Sequence, residues 1–384
     1  MFDVMNTVRM ADADTTGSGV MAGFTYFTTD EHASVFAIDV RTGLTAWTTP
    51  LTGSGSAGAK TWTCGAIAVD TTAVYAIASN YDNLDAPARV TLTAIDQATG
   101  DILWHYSPPT TQVPVPGECG DNLGYAITPT AYGLLLNISE MVDGSPLVYS
   151  EMLSLASGDI AWRTDTVVHA AASGAYGIAT SAPAEAADAV AIDLSTGEPG
   201  AAVALAPPDA PSPAYSVLGQ VGDDLIVSSQ TLDVTRDPQA PFGTTTTATS
   251  VFRVSAVTGL LQPKSEIQLA DTDLNNCTMA TDTTLVCDKL DDATTAVGIS
   301  LSDGATRWQH AFTDDQSGRP PLLFNGYMYG TAGGRAFVLD ADTGALVHDG
   351  TFHQPIAVNQ TGMVFSVSDT DGYSWQCWWA PAVG

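Results

Sequence analysis

The feature that most restricts how this chain can fold is a pattern that returns seven times along its 384 residues. It is plainest in SVFAIDVRTGLTAWTTPL at 34–51 and TLTAIDQATGDILWHYSPP at 91–109. These share the spacing A-x-D-x-x-x-G-x-x-x-W through Ala37, Asp39, Gly43 and Trp47, then Ala94, Asp96, Gly100 and Trp104. Weaker copies follow in MLSLASGDIAW (Gly158, Trp162), VAIDLSTGEPG (Asp193, Gly197), FRVSAVTGLLQ (Gly259), VGISLSDGATRW (Gly304, Trp308) and AFVLDADTGALVH (Asp340, Gly344). Successive glycines stand 57, 58, 39, 62, 45 and 40 residues apart, so the unit is near forty residues and some copies carry insertions. Self-similarity at such a period means an array of like units.

Each copy reads as a hairpin. An apolar strand such as VFAID runs into a tight turn whose Thr-Gly pair supplies the positive φ, and a second strand carries the tryptophan. Upstream of most copies lies another pair of short apolar runs, GAIAV and AVYAIAS, or YAITPT and GLLLNIS, so the unit holds four strands. Long helical periodicity is absent. Four-stranded units of this size cannot bury both faces alone, and radial arrangement about an axis covers each with its neighbours. The expected fold is therefore all-β, a β-propeller of four-stranded antiparallel blades. After the seventh turn the chain still offers QPIAVNQ, GMVFSVSD and YSWQCWWAP, which make an eighth blade. The N-terminal FDVMNTVRM can supply that blade's fourth strand and close the ring, giving one domain over 1–384. Seven blades is the alternative if the tail packs elsewhere.

These segments resemble the tryptophan-docking repeat of pyrroloquinoline-quinone-like β-propellers. The resemblance spans nearly the whole chain, strongest in the first two copies and degenerate at 193–201 and 255–263, where the tryptophan position holds Ala201 and Pro263. It implies that Trp47, Trp104, Trp162 and Trp308 fill the space between blades, a job that suits their large area. It also raises a quinoprotein dehydrogenase, with the quinone and calcium over the propeller axis. Such enzymes are much longer, and the alcohol-oxidising branch commonly uses adjacent cysteines that this chain lacks. Only Lys60, Lys264 and Lys289 offer ammonium anchors for a tricarboxylate. The expectation is no cofactor.

Composition narrows the partners. With 42 acidic and 12 basic side chains the formal net charge is −30, so the surface cannot neutralise phosphates, and nucleic acids and anionic membrane surfaces are set aside. No run of 18 apolar residues exists, and the opening residues lack the basic and apolar segments of a signal peptide. Any export signal or anchor is expected upstream of Met1.

Five cysteines show no zinc-ligand spacing. Cys277 and Cys287 flank CTMATDTTLVC, two short strands about a turn, and can face each other within disulfide reach. Cys64 and Cys119 each stand just before the first strand of consecutive units and can bridge them. Two disulfides would imply an oxidising compartment. Cys377 is left over.

Catalytic signals are missing: there is no G-x-S-x-G elbow, and the six histidines follow no motif. Asp369 and Asp371 are the candidate calcium ligands, against the plainer reading of a solvated turn. Trp375, Trp378 and Trp379 crowd one strand, which must place them on both faces; packing accounts for one face, and the other offers an anchor for a partner. The chain is thus expected to be an extracellular or cell-surface propeller without catalytic activity, binding a protein or cell-envelope component. A quinoprotein dehydrogenase and the extracellular sensor domain of a membrane protein are the alternatives.

Overall fold

A computed structural model describes residues 10–11, 20–26, 33–39, 42, 44–51, 60–81, 89–108, 123–142, 145–170, 174–180, 188–204, 213–222, 224–233, 245–255, 263–268, 274–289, 295–311, 322–332, 335–350, 355–358, 362–368 and 375–381. Everything regular among them is strand. Short apolar runs separated by turns leave each strand its nearest partner in sequence, and in every sheet the strands are neighbours in chain order. The chain divides into two compact units.

The first unit comprises residues 1–129, 133–163 and 355–384. It holds the sheet of β1 (Met10–Ala11), β2 (Val20–Tyr26), β3 (Ala33–Asp39) and β4 (Leu44–Pro50). The second sheet is β5 (Lys60–Val69), β6 (Ala73–Tyr81), β7 (Arg89–Asp96) and β8 (Ile102–Tyr106). The third is β9 (Leu123–Thr130), β10 (Gly133–Val142), β11 (Ser145–Leu153) and β12 (Ile160–Thr164).

The second unit comprises 130–132 and 164–354. Its first sheet, the fourth in the chain, is β13 (Val167–His169), β14 (Tyr176–Thr180), β15 (Asp188–Asp193) and β16 (Pro199–Ala204). The fifth is β17 (Pro213–Val221), β18 (Asp224–Asp233), β19 (Thr245–Ser255) and β20 (Pro263–Gln268). The sixth is β21 (Leu274–Thr281), β22 (Thr284–Lys289), β23 (Thr295–Ser300) and β24 (Thr306–Ala311). The seventh is β25 (Leu322–Phe324), β26 (Tyr327–Ala332), β27 (Arg335–Asp340) and β28 (Leu346–Gly350). The tail returns to the first unit as β29 (Pro355–Val358), β30 (Gly362–Ser368) and β31 (Trp375–Pro381), three strands in the described residues. Met10, the last residue of the N-terminal segment, pairs with Gly23 in the first sheet; the segment's other residues lie outside the described ones.

Burial follows strand position. The third strand ASVFAID is buried throughout except at Asp39, and TAVGIS of β23 is buried along its whole length, as strands covered on both faces must be. The fourth strands β8, β12 and β24 bury only Trp104, Trp162 and Trp308. Each repeat hairpin therefore joins a strand of the core to a strand of the surface.

The alanine of the repeat acquires a reason here. Trp47 lies directly across from Ala37, Trp104 from Ala94 and Trp308 from Gly298, so a small residue stands opposite each indole. In the seventh sheet, where His348 replaces tryptophan, the opposite residue is the larger Val338. Just before each of these positions the outer strand carries one extra residue, a β-bulge that re-aims the side chain after it.

Candidate functional site

The repeat residues build a joint between consecutive sheets. At the end of β7 the Asp96 carboxylate accepts the N–H groups of Ala98 and Thr99 at 2.9 and 2.8 Å and the Thr99 hydroxyl at 3.1 Å, closing the turn over itself. These donors, the Thr99 amide first, hold the Asp96 carboxyl below the usual carboxylate range. Asp193 does the same with Ser195 and Thr196, its lowered pKa owed chiefly to the Ser195 hydroxyl. Asp340 receives the amide and hydroxyl of Thr343. Gly100, Gly158, Gly197, Gly304 and Gly344 follow with positive φ; Asp39 ends β3, and Gly43 and Gly259 lie outside the described residues.

The tryptophan of the preceding sheet docks on that turn. Trp47 Nε1 donates to Gln97 O at 2.8 Å, Trp104 Nε1 to Leu155 O at 2.9 Å and Trp308 Nε1 to Ala341 O at 2.8 Å. A Cβ added at Gly100 would stand 2.8 Å from the Trp47 ring, at Gly158 2.6 Å from Trp104 and at Gly344 2.5 Å from Trp308. The turn glycine is thus required twice, once for its backbone angle and once as the floor under a neighbour's indole. Trp162 is buried on β12.

Two polar clusters lie beside these joints. Glu151 on β11 is fully buried; Tyr106 of the second sheet donates its hydroxyl to Oε2 at 2.6 Å, and Arg163 approaches Oε1 at 3.5 Å. The Arg163 guanidinium also lies 3.9 Å over the Tyr149 ring. A carboxylate this deep requires such partners, and burial followed by the bond to Glu151 pushes the Tyr106 hydroxyl well above its ordinary pKa. In the second unit one carboxylate oxygen of Asp342 accepts the hydroxyls of Thr281 at 2.7 Å, Thr283 at 2.8 Å and Thr284, with Arg307 at 3.3 Å. The Thr284 hydroxyl leads in holding its pKa down. Both clusters tie one sheet to the next, and nothing in the repeat pattern marks them.

Cys277 and Cys287 form a disulfide between β21 and β22. Cys64 does not precede its strand: β5 begins at Lys60, and Cys64 falls within the register shift between Thr63 and Ile67. Gly65 makes the preceding residues look like a turn, whereas the strand absorbs them as a bulge. Cys119, Asp369 and Asp371 lie outside the described residues. Trp375, Trp378 and Trp379 stand on β31 opposite Ser368, Phe365 and Val364. Burial lowers the pKa of His105, His169 and His310; a ring nitrogen of His105 lies 3.1 Å from the Thr93 hydroxyl, and the His310 ring lies tilted against Phe337, their centroids 4.9 Å apart. Among the described residues no three His, Cys, Asp or Glu side chains converge as a metal site, and no helix is long and apolar enough to cross a membrane.

Residues 6–139 match a family model described as outer membrane protein assembly factor BamB. The Dos1 propeller is 10% identical, with 94% of this chain and 91% of that one covered at a TM-score of 0.54. The quinohemoprotein alcohol dehydrogenase of Comamonas testosteroni is 15% identical over 95% of this chain and 71% of that one, at a TM-score of 0.52. BamB from Moraxella catarrhalis is 13% identical over 99% and 96%, at a TM-score of 0.46. No curated protein matches the sequence. The four-stranded antiparallel sheets and the likeness to the Dos1 propeller define the class: a β-propeller. Within that class, the likeness to the assembly-factor family model lies in residues 6–139.

Proposed function

We propose that this chain is a non-catalytic, protein-binding propeller of the cell envelope, working outside the cytoplasm, with its eight sheets as the blades of one domain over 1–384. The match of 6–139 to the outer-membrane assembly factor model carries the reading. The disulfide between Cys277 and Cys287 fits an oxidising compartment. The chemistry of the repeat is also spent on structure: its aspartates, glycines and indoles bind one another. Trp375, Trp378 and Trp379 serve in this reading as partner contacts, Asp369 and Asp371 as a calcium turn, and Cys64 with Cys119 as a second bridge.

The competing assignment is a quinone-dependent dehydrogenase. The test adds pyrroloquinoline quinone and calcium to the purified chain and follows reduction of a redox dye with primary alcohols and sugars. In parallel, chemical crosslinking in the envelope of its own host identifies stoichiometric neighbours. The expected result is no turnover and a protein partner crosslinked in fixed proportion; saturable turnover overturns the assignment.

A further inference from the structure

We propose that the outer strands of the first three sheets form a docking surface for a cationic, apolar segment of a partner protein. The proposal rests on the scaffold reading above and names where its partner binds. Leu44, Leu103 and Ile160 are 68%, 49% and 48% exposed, and Ile102 stands beside them at 38%. All four follow a repeat turn on β4, β8 or β12.

The tryptophan joints bring these positions into succession. Trp47, three residues after Leu44, rests on Gly100, two residues before Ile102; Trp104 rests on Gly158, two residues before Ile160. The apolar side chains therefore follow one another from sheet to sheet at the turn end of the outer strands, all within the first unit. Leu103 is the extra residue of its bulge, which turns it outward.

The repeat itself does not demand this surface. In the sixth sheet the same hairpin closes with the exposed Thr306 and Arg307 at the corresponding places, and in the fourth sheet with Pro199 and Gly200. The seventh exposes Leu346 and Val347 there, but as one pair beside a sixth sheet that has no apolar residue at those places, not as a row over consecutive sheets. Leucine and isoleucine exposed in a row where threonine and arginine serve equally well mark a surface that something covers.

Charge selects the occupant. Asp101 and Asp159, both exposed, immediately precede Ile102 and Ile160, so acidic groups punctuate the apolar row. A second copy of a chain with net charge −30 would set like charges against like, whereas lysines or arginines alternating with apolar residues would answer both features. The apolar contacts supply most of the affinity, and the aspartates supply selectivity and salt dependence.

The test uses the full chain and a fluorescein-labelled decapeptide of alternating lysine and leucine, with lysine–serine and glutamate–leucine peptides as controls, read by fluorescence anisotropy at about 0.15 M salt. Saturable binding of the lysine–leucine peptide alone is expected. The triple variant Ile102→Ser, Leu103→Ser, Ile160→Ser should weaken it about tenfold or more. Leu346→Ser with Val347→Ser, an exposed apolar pair in the second unit, should leave it unchanged. Asp101→Asn with Asp159→Asn should flatten the salt dependence. Leu103→Ser alone covers the case in which the triple variant does not fold, and should weaken binding by a smaller factor. No saturable binding, equal binding of the lysine–serine peptide, or equal loss in the second-unit pair overturns the proposal. A failed peptide arm without quinone turnover leaves the scaffold reading standing and moves its binding surface elsewhere.

Discussion

Between the second and third sheets Trp104 reaches from an outer strand to the turn of the next sheet, whereas between the fifth and sixth the equivalent position is Pro263 and the described contact lies on the inner strands. There Met279 of β21 packs against Gly219 of β17, close enough that a Cβ on Gly219 would meet its sulfur at 2.6 Å. Met279 joins a core that draws Ile226 and Val251 from the fifth sheet and Leu274, Leu285 and Val297 from the sixth, and this core contains both disulfide cysteines. The outer joint is directional, fixed by one hydrogen bond and one flat ring; the inner joint is adaptable, because a thioether fills irregular space. A sheet that receives no indole on its turn carries a covalent staple across its own first hairpin. An inner core is common to both joints, Tyr75 and Ile77 meeting Leu134 and Leu136 in the one and Ile226 meeting Leu274 in the other, and the indole adds an outer contact to the first.

The largest expected effect comes from removing the directional joint. Trp104→Ala should lower stability by about 3–5 kcal/mol, measured by urea unfolding, since it empties a buried site and strands the Leu155 carbonyl. Removing the staple should cost less. Cys277→Ser with Cys287→Ser, opening a bridge between residues ten apart, should lose about 2–3 kcal/mol in the same measurement. A larger loss there than at Trp104 would reverse the ranking of the two joints.

Acid gives the smallest effect. Burial lowers the pKa of His169 in the second unit below its ordinary value near 6.5, so the folded state takes up a proton less readily than the unfolded chain. Stability is then full above pH 6.5 and is lost as pH falls through the folded value. His169→Asn should flatten the decline between pH 7 and 5, followed by thermal unfolding. An unchanged slope would remove His169 as a source of acid sensitivity in the second unit.

The strands and turns were legible because a period near forty residues and a glycine at each turn are local signals. The second task of Gly100 was hidden, since the ring that rests on it belongs to Trp47, fifty-three positions earlier. Asp96 recurs visibly, but its job depends on amides two and three residues on. Glu151 looks like any acidic residue of an alternating strand; a lone carboxylate within the apolar run PLVYSEML was the available hint of burial. Cys64 reads from sequence as preceding its strand because a bulge cannot be told from a turn until the partner strand is known.

Because a complete repeat hairpin, such as the one that runs from Asp96 to Trp104, presents a ring at one end and a glycine floor at the other, a copied module would arrive already fitted to its parent on either side. Tandem duplication can therefore lengthen such a chain without inventing a new interface, and afterwards each seam is free to drift. The Pro263 and Met279 seam has the composition expected of one that has drifted.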